Sequence, residues 1–224
     1  MTKLLLTGFE PFGDSDRNPS LEVARALDGK RFGAATVASR ILPVSLHRIA
    51  AALDDAIDRT QPELVVSLGL ANNESMIRLE RFGVNLADFP IADNDGDKSI
   101  DRALVADGAA AVATTLPNRA IYNALLARGI PARLSNSAGA YLCNACIYLT
   151  EAALARRGSP ARFGFIHLPY LPEQVAALLA GPRQGRLPEQ IASMSLETMI
   201  AATEIALVTA LQSNVASARA VSRS

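Results

Sequence analysis

The chain has 224 residues, half of them hydrophobic, with 22 basic and 22 acidic side chains and a formal net charge of zero. This length and composition can support a buried core in one domain or in a compact pair of domains. The balanced charge, the low aromatic content of 5% and the absence of tryptophan argue against a surface for nucleic acid or anionic membrane.

The sequence also limits where the protein is expected to act. The apolar run Leu4–Leu6 is too short for a signal peptide, and no segment approaches the roughly 20 apolar residues that span a bilayer. Two cysteines, Cys143 and Cys146, do not form the disulfide framework of a small secreted protein. We therefore expect a cytoplasmic protein.

Hydrophobic spacing and capping residues predict alternating strands and helices. Asn18 and Pro19 form a typical helix start, because asparagine caps free N–H groups and proline lacks one at the first helical position. In chain order the pattern predicts a strand at 3–8, a helix at 20–27, a strand at 35–42, a helix at 45–59, strands at 64–70 and 75–84, a loop at 88–96, a helix at 118–128, a strand at 132–135, a helix at 141–157, a strand at 162–167 and a last helix capped by Ser195.

Several of these strands are apolar on both faces, which is typical of a sheet covered by helices on both sides. We predict a single α/β domain over residues 1–212, a three-layer sandwich with a twisted, mixed and mostly parallel sheet. Residues 213–224 are predicted to be a flexible tail. Sites in such folds form where strands end, so the loops after Gly8, Leu70, Ser135 and His167 are the places to search.

Cys143 is the first candidate for chemistry. It lies near the start of a predicted helix that follows the small and polar residues 135–140. Free N–H groups and the positive end of the helix dipole would favour its thiolate form. The alternative is a buried structural cysteine, which packs like a small hydrophobic side chain.

Cys146 completes a Cys-x-x-Cys spacing, so a thiol–disulfide redox pair is a second interpretation. The intervening Asn144 and Ala145 lack the usual Gly-Pro character, and Cys146 shares helical spacing with Leu142 and Leu149, which indicates packing. We predict no metal site, because two cysteines and two histidines form no second close ligand pair.

His167 and Glu80 are the candidates for proton transfer. His167 ends an apolar strand, where an imidazole is well placed to act as a base for a cysteine nucleophile. A core histidine bonded to a backbone carbonyl is the alternative, and His47 is expected to be a surface group. Glu80 would share a strand face with Arg78 and Phe82, and a simple ion pair with arginine is its ordinary interpretation.

Several motifs together resemble the pyroglutamyl peptidase I family, also called pyrrolidone-carboxylate peptidases. They occur in family order along most of the chain: 7–13 with Asn18-Pro19, 42–44, 69–71 with Glu80-Arg81 and Asn85, Asp93-Asn94 with Gly96, 137–139 with Tyr141, Cys143 and Asn144, and 164–174.

The resemblance implies a cysteine peptidase that removes N-terminal pyroglutamyl residues from peptides, with Cys143, His167 and Glu80 as a catalytic triad. It also implies no cofactor and a homotetramer. By analogy, Phe9 and Phe12 would flank the lactam ring and backbone groups near Leu70 would bind it. Tyr141 and Leu142 are assigned to the same substrate site.

Two departures from the family leave alternatives open. Many members carry an arginine where this chain has Pro90, and a Gly-Arg pair where it has Asn73-Glu74. A homologue that binds pyroglutamyl peptides with weakened turnover is therefore one alternative. A thiol–disulfide oxidoreductase that uses Cys143 and Cys146 is the other.

Overall fold

A computed structural model describes residues 3–13, 15–181 and 190–221. Within these ranges the strands are β1 (Lys3–Phe9), β2 (Arg31–Phe32), β3 (Ala35–Leu42), β4 (Leu64–Leu70), β5 (Ile77–Glu80), β6 (Phe82–Val84), β7 (Ala111–Ala113), β8 (Ala132–Ser135) and β9 (Arg162–Leu168). The helices in the same ranges are α1 (Pro19–Leu27), α2 (Leu46–Thr60), α3 (Asn118–Ala127), α4 (Leu142–Arg156), α5 (Pro172–Ala180) and α6 (Leu196–Val221).

Seven of the described strands form one mixed sheet in the order β2-β3-β1-β4-β9-β5-β8. The four central strands β3, β1, β4 and β9 are parallel, and β2 adds antiparallel at one edge. At the other edge β5 and β8 are parallel to each other, and β5 is antiparallel to β9. The strands β6 and β7 pair in a small separate ribbon.

Helices cover both faces of this sheet, because successive side chains on each central strand point to opposite sides. Leu4 and Leu6 of β1 pack in the core layer shared with α1, α3 and α6, whereas Leu5 and Phe9 pack in the layer shared with α2 and α4. The predicted three-layer α/β fold is confirmed.

Local sequence signals place the helix starts well. The Asn18 side chain accepts a hydrogen bond from the Ser20 N–H, with Pro19 as the first residue of α1. Ser45 caps α2 by accepting from the Arg48 N–H. Among the described helices, none combines the length and apolar character needed to cross a bilayer.

The structure differs from the predicted elements at several places. The strand predicted at 75–84 breaks at Arg81, where the Arg81 carbonyl leaves the large sheet and accepts from the Thr114 N–H. Helix α5 was missed, although Pro172 at its first position and the Gln174 side chain bonded to the Leu171 N–H form a recognisable start.

The C-terminal helix differs in length from the prediction. Helix α6 continues to Val221, well past residue 212 where the folded domain was predicted to end. Residues 1, 2, 14, 182–189 and 222–224 lie outside the described part of the chain. The flexibility of the 213–224 tail stays a prediction.

Candidate active site

The candidate site lies on the α2 and α4 side of the sheet, near the carboxyl ends of β4 and β9. Gly69 of β4 and Arg78 of β5 are both register partners of His167 on β9. Glu80 lies two residues after Arg78, so both side chains point to the same face of β5 as His167 does on β9. The antiparallel pairing of β5 with β9 therefore brings a carboxylate and a guanidinium to one imidazole.

Two charged side chains contact the Nδ1 nitrogen of the His167 ring. The distance from His167 Nδ1 to Glu80 Oε1 is 2.8 Å, and Arg78 Nη2 lies 3.0 Å from the same nitrogen. Arg78 Nε donates to Glu80 Oε1 over 2.6 Å. Glu80 has no exposed surface and His167 has 2%, so these interactions are shielded from solvent screening.

Helix α4 brings Cys143 to the same place. Its sulfur lies against Gly69, where a Cβ atom added to the glycine would be only 2.8 Å from Sγ. Since Gly69 is the direct register partner of His167, the thiol and the imidazole occupy neighbouring positions over β4 and β9. The absence of a side chain at Gly69 is what gives the thiol this position.

The start of α4 lacks a side-chain cap. Tyr141 occupies the N-cap position without a capping hydrogen bond from its side chain, and Cys143 is the second helical residue. N–H groups in the first turn of a helix have no acceptor within the helix. They are therefore available to an oxyanion formed beside the sulfur.

The loop after Ser135 starts at the opposite end of the sheet from the loops after β1, β4 and β9. Strand β8 is parallel to β5, which is antiparallel to β9, so Ser135 ends a strand that runs the opposite way. The following segment has to return over the face of the sheet before α4 begins.

The protonation states of the site follow from burial and from charge. Burial raises the pKa of the Cys143 thiol, and the nearby Cys146 and Glu80 raise it further while Arg78 lowers it. The neutral thiol is thus favoured, in contrast to the thiolate expected from the helix start.

Burial likewise lowers the pKa of His167, although the hydrogen bond and charge of Glu80 act in the opposite direction. For Glu80, burial alone would raise the pKa, but the His167 hydrogen bond and the Arg78 charge bring it below its ordinary value. The resting site therefore combines a neutral thiol, a neutral imidazole and an ionised carboxylate.

The charged network extends beyond Glu80. Glu74 is buried, and its Oε2 accepts from Arg133 Nε and Nη2 over 3.0 and 2.7 Å. The same oxygen lies 3.7 Å from Arg78 Nη1. Glu74 therefore links Arg133 to Arg78.

Cys146 is separated from solvent. It has no exposed surface and packs in the core layer between α4 and the sheet. Both cysteines are free thiols, and only Cys143 is partly exposed. The packing role indicated by the helical spacing is confirmed, and a redox pair that exchanges with other proteins is not favoured.

Among the described residues, no cluster of three or more His, Cys, Asp or Glu side chains could hold a metal.

Two phenylalanine rings pack around Tyr141, which precedes Cys143 by two residues. Tyr141 packs edge-on against Phe89 with ring centroids 4.6 Å apart, and its ring lies 6.2 Å from that of Phe12. Burial, together with the charge of Asp93, raises the pKa of Tyr141 to about 12, so its hydroxyl stays neutral.

The five residues assigned to substrate binding differ in their positions. Phe12 and Tyr141 lie together and keep partial exposure. Phe9 and Leu142 are buried in the core layer, with 3% and 2% exposure, and Leu70 ends β4 next to Gly69. These five assignments stay predictions.

The loop at 88–97 joins the surrounding elements. The Asp88 N–H donates to the Ala140 carbonyl, and the Tyr141 hydroxyl donates to the Ala92 carbonyl over 3.2 Å. Asn94 Nδ2 donates to Glu10 Oε1 and to the Pro11 carbonyl. Pro90 is exposed.

Two neighbours of the site received no role in the sequence analysis. Arg78 was considered only as an ion-pair partner of Glu80, and Phe89 was given no role. The signal for Arg78 was its two-residue spacing from Glu80. No sequence signal identified Phe89 as the residue that packs on Tyr141.

Comparison with known proteins agrees with this geometry. A family model for pyroglutamyl peptidases matches residues 2–213. Pyrrolidone-carboxylate peptidases from Thermococcus litoralis and Cupriavidus taiwanensis are each 42% identical, over 94% of this chain and 94% of theirs.

Solved structures of pyrrolidone carboxyl peptidases resemble the fold of this chain. A mutant pyrrolidone carboxyl peptidase from Pyrococcus furiosus superposes with a TM-score of 0.89 at 39% identity, covering 95% of this chain and 99% of that one. The Thermococcus litoralis enzyme gives 0.87 at 42% identity, covering 95% and 94%. The chain belongs to the pyroglutamyl peptidase family of cysteine-type hydrolases.

Proposed function

We propose that this protein removes N-terminal pyroglutamyl residues from peptides, with Cys143 as the nucleophile, His167 as general base and acid, and Glu80 as the group that orients the imidazole. The observation that carries the proposal is the 2.8 Å contact between His167 Nδ1 and Glu80 Oε1 beneath a thiol that rests on Gly69, the register partner of His167.

The first chemical step forms an acyl-enzyme. The Cys143 thiol gives its proton to His167 Nε2 as the sulfur attacks the pyroglutamyl carbonyl carbon. Since the resting thiol is neutral, the imidazole has to be the base, and its Nδ1–H must then point to Glu80. N–H groups at the start of α4 stabilise the oxyanion, and each such donor is worth roughly 3 kcal/mol in related chemistry.

The remaining steps release the two products. The tetrahedral intermediate collapses when the C–N bond breaks, and the leaving amine takes the proton from His167 Nε2. Water then attacks the thioester, loses a proton to the same nitrogen, and free pyroglutamate leaves as the sulfur regains its proton.

The aromatic group of Phe12, Phe89 and Tyr141 supports this substrate class. A pyroglutamyl ring is flat and uncharged, and it carries one N–H and one carbonyl. The partly exposed rings of Phe12 and Tyr141 offer apolar contacts that fit such a ring, whereas they would desolvate the ammonium of an ordinary N-terminus. A pyroglutamyl amide should therefore be cleaved in strong preference to a prolyl amide, which has the same ring size with a charged nitrogen.

The test compares chromogenic pyroglutamyl and prolyl amides with the wild-type protein and three variants. Cys143→Ala should abolish turnover. Glu80→Gln should lower kcat by about 10²- to 10⁴-fold, the contribution of a general base, because His167 is no longer oriented for that role. Cys146→Ala should retain most activity because that sulfur is buried in the core.

Equal turnover by wild type and Cys143→Ala would remove the thiol from the mechanism. Tight binding of a pyroglutamyl peptide without product release would favour the alternative of a binding homologue.

We also propose, from the family alone, a cytoplasmic homotetramer. Light scattering should then give four times the 23.7 kDa of one chain.

A further inference from the structure

The contacts of Arg78 raise a question about the His167 proton. Arginine has five N–H donors and no acceptor, so Arg78 Nη2 can only donate. Nδ1 of a neutral imidazole either carries a proton or accepts one. Nδ1 therefore cannot donate to Glu80 and accept from Arg78 at the same time, although both atoms lie within 3.0 Å of it.

The choice between these two states decides whether His167 can act as a base. If Arg78 donated to Nδ1, the ring proton would lie on Nε2, and that nitrogen could not accept the thiol proton. If Glu80 accepts the Nδ1 proton, Nε2 keeps a free lone pair toward the thiol. The ionised state of Glu80 favours the second arrangement, because a carboxylate is a strong acceptor for an N–H group.

We propose that Arg78 is a positioning residue for the reaction, which fixes the Glu80 carboxylate on Nδ1 of His167 and keeps the free imidazole uncharged. This inference rests on the proposed roles of Glu80 and His167. Arg78 Nε donates to the same Oε1 atom that lies on Nδ1, so one carboxylate oxygen receives both N–H groups. The guanidinium next to Nδ1 in turn opposes a positive charge on the ring.

The charges that face His167 support this role. Glu80 and Arg78 approach from β5, Glu74 contributes from the segment before β5, and Cys143 of α4 lies against Gly69, the register partner of His167. The two carboxylates raise the pKa of His167 and Arg78 lowers it, in addition to the lowering by burial. Arg78 is thus the charged group in this set that acts in the same direction as burial and favours the neutral form of the base.

Glu74 and Arg133 hold Arg78 in place. The Arg78 side chain is 19% exposed and lies between two buried carboxylates, Glu80 and Glu74. Arg133 forms two hydrogen bonds with Glu74, which fix that carboxylate from the other side. The guanidinium therefore has little freedom to swing away from the imidazole.

Two matched substitutions separate the charge of Arg78 from its shape. Arg78→Gln removes the charge and keeps a donor, whereas Arg78→Lys keeps the charge and loses the planar fork. Arg81→Gln is the control, because Arg81 lies on the same segment, is exposed and bonds to Asn136 instead.

We expect kcat/KM of Arg78→Gln to fall roughly 10- to 100-fold at its pH optimum, the effect of losing a charge-assisted hydrogen bond on a catalytic group. The acid limb of its pH profile should move to higher pH, since the His167 pKa rises without the neighbouring cation. Arg78→Lys should lose rate but keep the wild-type acid limb, and Arg81→Gln should match wild type throughout.

A direct measurement keeps the inference testable without turnover. His167 and His47 are the only histidines, so ¹⁵N-labelled histidine gives two rings, with the exposed His47 as an internal reference. We expect His167 to carry its proton on Nδ1 in the wild type and to become charged at higher pH in Arg78→Gln.

Three outcomes would overturn the inference: an Nε2–H tautomer in the wild type, faster turnover by Arg78→Gln, or an unchanged His167 titration in that variant. Failure of the proposed function would look different, because the wild-type protein itself would not cleave the substrate while the histidine titration could still follow Arg78.

Discussion

Gly69 sets the space available to the nucleophile, so Gly69→Ala is the most informative steric perturbation of the site. A methyl group there would lie 2.8 Å from Cys143 Sγ and 2.7 and 2.9 Å from two carbons of the Phe165 ring. Non-bonded heavy atoms of this kind rest about 3.5–4.0 Å apart. The sulfur and the ring would each have to retreat by about 1 Å.

A displacement of about 1 Å at a reacting atom lowers rates by about 10²-fold, because it removes the sulfur from its attack position. We therefore expect kcat/KM for a pyroglutamyl amide to fall about 100-fold in Gly69→Ala, with slower alkylation of Cys143 by iodoacetamide. Overpacking should also lower the free energy of unfolding by about 1–3 kcal/mol, and a chain of this size loses roughly 2–4 °C in Tm per kcal/mol.

Gly164→Ala is the matched control. It lies on β9, and its methyl group would meet Leu116 at 2.3 to 2.9 Å in the opposite core layer, away from the thiol. This variant should lose stability while its folded molecules keep wild-type kcat. Wild-type kcat and alkylation rate in Gly69→Ala would refute the view that Gly69 positions the sulfur.

Three further predictions concern stability and the second cysteine. Cys146→Ser should keep most peptidase activity but lower Tm, because it places a hydroxyl in a fully buried core position; loss of turnover at unchanged stability would instead favour the redox alternative. Glu74→Gln should destabilise the protein at neutral pH by leaving Arg78 and Arg133 short of a carboxylate. Arg133 lowers the pKa of Glu74 although burial acts to raise it. The contribution of Glu74 to the free energy of unfolding is therefore present above the ordinary glutamate pKa, and it is lost as the pH falls through the pKa of Glu74 in the folded protein. A wild-type Tm that declines no more steeply in acid than that of Glu74→Gln would contradict this reasoning. Burial raises the pKa of Glu151 to about 7, and its Oε1 has no hydrogen-bond partner among the described residues. The native state thus holds a proton that the unfolded chain has lost, so stability should fall as pH rises from about 4.5 to 7. Glu151→Gln should remove this loss of stability with rising pH. Parallel plots of Tm against pH for the wild type and Glu151→Gln would exclude a contribution from Glu151.

Much of the secondary structure could be predicted because the signals are local. The strands Ala35–Leu42, Leu64–Leu70 and Ala132–Ser135 have the predicted bounds, since runs of apolar residues end there at turn residues. Helix α5 was missed because, of the residues in its span, only Gln174 is buried, which leaves no apolar stripe to detect. The very short strands β2 and β7 carry too few residues for any pattern.

The candidate site could be predicted only in part. Cys143 and His167 were candidates because of their positions at a helix start and a strand end, whereas their grouping with Glu80 came from the resemblance to a known family. Arg78 was recognised only as a neighbour of Glu80. The thiolate expected for Cys143 did not hold, because the helix start is a local feature whereas the burial that raises the thiol pKa depends on the packed sheet.

The sequence by itself determined most of the longer strands and helices, several of the residues that start the helices, and the family that the motifs resemble. These properties depend on short-range spacing and on the conformational preferences of neighbouring residues. Only the tertiary structure decided that β5 runs antiparallel to β9, and this pairing places Arg78 and Glu80 on His167. Strand direction and burial arise from contacts between residues almost 90 positions apart in the chain, so no local pattern records them.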